Sequence, residues 1–327
     1  MELFWNAGVG TQPGELVLDE TDVYWATETS GGTSVVRRKA KAAEDDDPGH
    51  VAALLGTTGR FARQLCFRDG LLFWLGRGGK KTAIETPAAD DEAPLEIWQA
   101  DDGKYLAAGD FGLAWATSTG GLVHIVAESG GQPVDGGTYA IANTGTINAL
   151  AAAGSVLIAA HSDAGNDRTL WRLAGEPPCA GCDKLVPSAE GASALRLDPT
   201  ATTLYWLTGN GAKRLMRFVE VATGNTSPLV ADPVVPDTEA VVVTSKHVLW
   251  MTDVFGASFP DEYNEGIFRV APELNSQVAT RLVPAPGCAW TCEDSSPARL
   301  IAADADHVYW SCVWQSQAVV YRAPLPP

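Results

Sequence analysis

The sequence predicts an all-β fold, a seven-bladed β-propeller of four-stranded blades with the N-terminal strand completing the last blade. Three observations carry this expectation. A pattern of apolar run, polar turn and aromatic strand repeats along the whole chain. Its copies lie about 40–60 residues apart, the spacing of propeller blades and related arrays. No segment of about 11 or more residues carries the 3.6-residue apolar period of a helix.

The copies, in order, are "LVLDETDVYWAT" from Leu16, "LCFRDGLLFWLG" from Leu65 and "LAAGDFGLAWAT" from Leu106. Then come "LAAAGSVLIAAH" from Leu150, "LRLDPTATTLYWLT" from Leu195, "VVVTSKHVLWMTD" from Val241 and "LIAADADHVYWSC" from Leu300. Each reads as a first strand, a turn and a second strand, because the runs are short, β-branched or aromatic, and bounded by Gly, Pro, Asp and Asn. Aligned, they put Trp25, Trp74, Trp115, Ile158, Trp206, Trp250 and Trp310 in one column. A third strand follows each: "TSVVRRKA", "KTAIETPA", "GLVHIVAE", "RTLWRLAG", "KRLMRFVEV", "GIFRVAPE" and "AVVYRAPL". A weaker fourth closes the unit: "HVAALLG", "LEIWQA", "TYAIA", "KLVPSAE", "TSPLVA" and "QVATRLV".

The last unit reaches "PLPP" without a fourth strand, and "MELFWNA" at the other terminus is a strand without a unit. Pairing it with "VVYRA" removes the open edges that invite aggregation. Residues 1–327 are then one domain. The second strand of a blade is covered on both faces and so reads as a continuous apolar run. The recurrent tryptophans, and Tyr24, Tyr205 and Tyr309 beside them, are packing residues on this reading.

The chain has 327 residues, 46 % apolar and 19 % charged, with 33 Gly and 20 Pro. Its net charge of −17 argues against nucleic acid and anionic membrane surfaces, which need a basic footprint. No run of about 18 apolar residues suits a membrane-spanning helix. "MELFWNAGVG" shows neither the basic nor the apolar part of a signal peptide. Cys66, Cys179, Cys182, Cys288, Cys292 and Cys312 make an even set with close pairs, which fits an oxidising compartment. A secreted, periplasmic or cell-surface location is expected, with any leader absent from this chain, and a monomer is expected.

The "VYW" and "YWxT" strands, the preceding "LxxD" strand and the following "IFRV"-type strand resemble bacterial extracellular β-propeller repeat proteins of the myxobacterial type. They are also similar to the YWTD propellers of lipoprotein-receptor ectodomains. The resemblance spans essentially the whole chain. Blade four departs from it with "VLIAA" in place of the aromatic pair, and the aspartate of the motif survives only at Asp253. A receptor-type ligand site is therefore not carried over.

Propeller sites lie on rim loops, and loops longer than about 12 residues are uncommon unless functional. Two connections are long: "DVFGASFPDEYNEG" from Asp253, and the stretch around "PAPGCAWTCEDSSPAR" that enters blade seven. Propeller topology assigns both to one rim, with Trp314. They carry Asp253, Phe255, Phe259, Asp261, Glu262, Tyr263, Trp290, Glu293 and Asp294. Aromatics among carboxylates suit a sugar, a basic peptide or a cation. The expected ligand residues are Asp253, Asp261, Glu262, Tyr263, Trp290, Glu293 and Trp314.

In "HSDAGNDR", His161, Asp163, Asn166 and Asp167 are donors suited to a divalent cation. The same Gly/Asn/Asp content also makes a plain hairpin turn. No other cofactor is expected. Cys179 and Cys182 in "CAGC" suit a local disulfide, and Cys312 can pair with Cys288 or Cys292. Cys66, on a first strand, reads as buried and free.

No G-x-S-x-G elbow or phosphate-cradling glycine motif appears in a strand–helix context. Two functions follow from this reading. One is a non-catalytic binding module for a protein, peptide or glycan. The other is a metal-dependent hydrolase or lyase, similar to propeller lactonases and streptogramin lyases, using polar first-strand residues such as Asn148 and Glu239. The turn "DADH" before Trp310 matches "TSKH" before Trp250, so His307 and His247 read as a repeat feature.

Overall fold

The computed structural model describes residues 2–9, 11–29, 34–42, 53–58, 61–78, 81–87, 94–100, 102–117, 120–129, 132–141, 145–163, 168–174, 177, 182–189, 192–208, 215–229, 238–252, 266–272, 279–284, 301–314 and 317–326. Seven antiparallel four-stranded sheets make up a seven-bladed β-propeller. Contacts divide the chain into two compact units, Met1–Asp101 with Val283–Pro327, and Asp102–Leu282.

The first unit holds blades one, two and seven. The strand β1 (Glu2–Val9) opens the chain. Blade one is β2 (Thr11–Leu18), β3 (Asp22–Thr29), β4 (Ser34–Ala40) and β5 (Ala53–Thr58). Blade two is β6 (Phe61–Arg68), β7 (Leu71–Gly78), β8 (Lys81–Thr86) and β9 (Leu95–Gln99). The second unit holds the next four blades. Blade three is β10 (Gly103–Gly109), β11 (Gly112–Thr117), β12 (Leu122–Ser129) and β13 (Gln132–Ala140). Blade four is β14 (Thr146–Ala153), β15 (Val156–Ser162), β16 (Arg168–Leu173) and β17 (Asp183–Val186). Blade five is β18 (Ser193–Leu197), β19 (Thr203–Thr208), β20 (Leu215–Glu220) and β21 (Thr226–Pro228). Blade six is β22 (Thr238–Val243), β23 (Val248–Thr252), β24 (Gly266–Val270) and β25 (Thr280–Pro284). Blade seven, back in the first unit, is β26 (Ile301–Ala303), β27 (His307–Trp314) and β28 (Gln317–Pro324), completed by β1.

The closure expected from the termini is present. Leu3 pairs with Tyr321 and Trp5 with Val320. Phe4 fixes this strand from three sides. Its carbonyl accepts from Lys39 Nζ of β4 at 2.8 Å, and that ammonium lies 4.6 Å from its ring. Its ring also meets Tyr309 edge-on at 5.5 Å. A buried amine that spends one donor on a carbonyl and faces a π-cloud is partly compensated for lost water.

The tryptophan column is a packing device, as expected. Trp25, Trp74, Trp206 and Trp310 are at most 1 % exposed. Within each unit the column residue faces the preceding blade. Trp25 packs with Phe4, Tyr309 and Val320 of blade seven, and Trp74 with Tyr24, Ala26 and Val36 of blade one. Its partner across the sheet is planar in most blades. Trp115 stacks on His124 at 4.2 Å and 16°, Trp250 on Phe268 at 6.0 Å and 16°, and Trp310 on Tyr321 at 5.7 Å and 26°.

Blade four corrects the column by one residue. Ala159, not Ile158, is opposite Leu150 and faces blade three, whereas Ile158 faces blade five. A one-residue shift turns every side chain to the other face of a strand. The ring comes instead from Trp171 of β16, the cross-strand partner of Ala159. A small residue on the second strand makes room for a large one on the third.

Two further features depart from the sequence expectation. The fourth strand of blade three begins at Gln132, well before "TYAIA". A register shift between Ile125 and Val126 absorbs "DGG", where an added Cβ at Gly136 would stand 2.8 Å from Ile125 Cγ2. Bulges also recur in the first strand of blades one to six, between Pro13 and Leu16, Arg63 and Cys66, Gly103 and Tyr105, Ile147 and Ala149, Ser193 and Arg196, and Thr238 and Ala240. Gln64 and Ala194 sit in such bulges with φ of 55° and 50°. A bulge increases local twist and re-aims the next side chain.

Candidate functional site

Most of the expected ligand residues lie outside the described residues: Asp253, Asp261, Glu262, Tyr263, Trp290 and Glu293, with Asp167, Cys179, Cys288 and Cys292. Trp314 ends β27 opposite Gln317, and Cys312 stands opposite Val319 in the same strand. His161 is buried in β15, where an added Cβ on Gly145 would stand 2.5 Å from its Nε2. Asp163 is exposed just beyond that strand. Among the described residues no three His, Cys, Asp or Glu side chains form a group that could hold a metal ion. Among them, too, no helix is long and apolar enough to cross a membrane. Asn148 donates through Nδ2 to Ser162 Oγ at 2.9 Å and to the Thr146 carbonyl at 3.2 Å, so its amide belongs to a network within blade four.

A concave feature of the first unit lies at the other end of the blades, on the turns between first and second strands. A cavity of about 1000 Å³ opens there. The hairpin of blade one contributes Asp19, Glu20 and Thr21, and that of blade seven contributes Asp304, Asp306 and His307. Blade two adds Phe67 and Gly70, Lys41 enters from the end of β4, and Tyr309 lies behind.

Local chemistry shapes these hairpins. Asp19 Oδ1 accepts from the N–H groups of Thr21 at 2.8 Å and Asp22 at 2.7 Å. Asp304 Oδ1 does the same for Asp306 at 2.9 Å and His307 at 2.8 Å. In blade six Thr244 Oγ1 takes this part, accepting from His247 N–H at 3.0 Å. These are the side-chain-to-backbone turns that Asp and Thr favour. The turn of "DADH" is thus a repeat feature, as the sequence implies, and it also walls a cavity.

The second oxygens point to other partners. Asp19 Oδ2 accepts from the Tyr24 hydroxyl at 2.7 Å, and Asp304 Oδ2 pairs with Lys41 Nζ at 2.9 Å. Burial acts to raise both carboxyls. For Asp19 the Tyr24 hydroxyl and backbone N–H groups outweigh it, and for Asp304 the Lys41 ammonium and backbone N–H groups do. Both end below the usual carboxylate range and stay ionised. Burial, then the bond to Asp19, pushes the Tyr24 hydroxyl up to about 12. Glu20 and Asp306 are exposed, and among the described residues their carboxylates make no hydrogen bond or ion pair.

No signal in any single hairpin announces this cavity. Asp19 and Asp304 belong to opposite ends of the chain and line one cavity because β1 closes blade seven beside blade one. The one available sign was the recurrence of Asp at the same turn position in the first and last repeats.

No family model matches the chain, and no curated protein matches it. Its architecture is similar to solved propeller structures. An oligogalacturonate lyase in complex with manganese matches with TM-score 0.64 and 12 % identity, over 97 % of this chain and 91 % of that one. A chain of the mitotic checkpoint complex matches with TM-score 0.58 and 15 % identity, over 95 % and 89 %. TolB from Acinetobacter baumannii matches with TM-score 0.53 and 10 % identity over 77 % of this chain, which spans 61 % of TolB's length. At such identities the likeness is one of fold alone. The class defined is the β-propeller.

Proposed function

We propose that this protein is a non-catalytic binding module for a glycan, peptide or protein, acting as a monomer outside the cytoplasm. The observation that carries the reading is the uneven length of its connections. The link from β23 to β24 takes residues 253–265, and that from β25 to β26 takes 285–300. The links equivalent to the first, β7 to β8 and β27 to β28, take only 79–80 and 315–316, and β5 to β6, equivalent to the second, takes only 59–60. On the rim that carries these two links the others are shorter, whereas the opposite rim has its own long link at 41–52; length on a rim is spent where side chains contact a ligand. Each long loop by itself carries rigid aromatics beside carboxylates: Tyr263 with Asp261 and Glu262, and Trp290 with Glu293. Asp253 and Trp314 complete the proposed ligand residues. Cys182 is disulfide-bonded, which supports an oxidising compartment, and Cys179 is its proposed partner.

A glycan and peptide array probed with the full chain tests this reading. The expected result is a selective hit whose binding falls about tenfold or more in Tyr263→Ala or Trp290→Ala, with unchanged melting temperature. An array without hits, or variants that lose binding only together with folding, would overturn it.

A further inference from the structure

We propose that the hairpin cavity of blades seven, one and two is a second binding site, and that it takes an alkylammonium group: an amine on an aliphatic stem. The volume is the first argument. About 1000 Å³ is the size of a small-molecule or side-chain pocket, far more than a lone ion fills. The second argument is the wall. Asp19, Glu20, Asp304 and Asp306 face it against Lys41 and the imidazole of His307. Lys41 is already paired with Asp304 at 2.9 Å, so it offers an anion little. Among the described residues Glu20 and Asp306 keep their carboxylates free. The third argument is the apolar side. Phe67, held edge-on against Tyr24 at 4.6 Å, gives an aliphatic stem a fixed aromatic surface. Aromatic faces with carboxylates at their margin are the chemistry that holds an organic cation. Lys41 is an internal example, since its own alkylammonium is bound by this wall.

The site is independent of the loop reading. In blade seven it lies at the Asp304–His307 end of β27, whereas Trp314 ends the other side of that strand. Either reading can therefore fail alone.

Calorimetric titration of the full chain with cadaverine, an oligolysine peptide and glutarate tests it. Cadaverine should bind saturably with Kd of about 1 mM or tighter, weaken as salt rises, and lose about tenfold in Glu20→Gln/Asp306→Asn. Glutarate, similar in length and opposite in charge, should not bind. Oligolysine binding that the same substitutions weaken identifies the source as a peptide side chain, and cadaverine alone identifies a free diamine. Both substituted side chains are exposed and neither carboxylate makes a hydrogen bond or ion pair among the described residues, so the variant should melt as the parent does. Absence of saturable cadaverine binding, equal binding of glutarate, or binding indifferent to the double substitution overturns the proposal.

Discussion

The indole Nε1 of Trp74 donates to Glu85 Oε2 at 2.8 Å, joining two buried residues on adjacent strands of blade two. The equivalent nitrogens of Trp25, Trp115, Trp206 and Trp310 are buried without a protein acceptor. Replacing Trp74 with Phe therefore removes a charge-assisted bond, about 1.5–3 kcal/mol, in addition to lost packing. Trp206→Phe removes only packing and discards an unpaired N–H. Urea midpoints should fall clearly further for Trp74→Phe. Equal losses would show that the bond contributes nothing.

Gly112 is held at φ +116°, and an added Cβ would stand 2.2 Å from the Val126 carbonyl oxygen. Gly154 has φ +52° with only Asp110 Oδ2 nearby, at 3.7 Å. Gly154→Ala should cost about 1–2 kcal/mol, the left-handed penalty alone. Gly112→Ala should cost more than that, because backbone must also move. Thermal denaturation of the two variants decides the order.

His124 stacks on Trp115 and shares a 2.8 Å hydrogen bond with Thr138 Oγ1. Burial lowers its pKa below 6.5, with Asp135 opposing. The unfolded chain then binds the proton more readily, so this contribution is complete above 6.5 and is lost as pH falls through the lowered folded value. Stability measured from about pH 8 down to pH 5 should decline, and less steeply in His124→Phe, which keeps a ring on Trp115.

Asp19 and Asp304 have the same sign at lower pH. Their folded pKa values lie below 3.8, so what they contribute is present above 3.8 and is lost as pH falls further. Asp304→Ala should flatten the acid limb of the stability curve. It should also release Lys41, seen as faster chemical acetylation of that amine.

Cys66 is buried and takes part in no disulfide. Alkylation of the folded protein without reductant should leave it unmodified, and denaturant should expose it. Intact-mass measurement reads the difference directly.

The blades were legible because each is a local unit: turn residues, an apolar second strand and a ring at a fixed place recur within one short stretch. Leu106 with Trp115 and Ile301 with Trp310 could be paired by eye. Ala159 could not, since "VLIAA" offers no ring to mark the register, and the partner Trp171 comes from another strand. The first-strand bulges were silent too, because an extra residue between strands has no composition of its own.

The seven repeats, the closing strand and the two long rim connections were written in the chain locally, as consequences of alternation and turn chemistry. Which hairpins share a cavity depends on how the blades assemble. Asp19 and Asp304 come to line one cavity through a strand pairing between the two termini, and Lys41 is held there by its ion pair with Asp304. A contact between the ends of a chain is fixed by packing over the whole unit, and no local stretch encodes it.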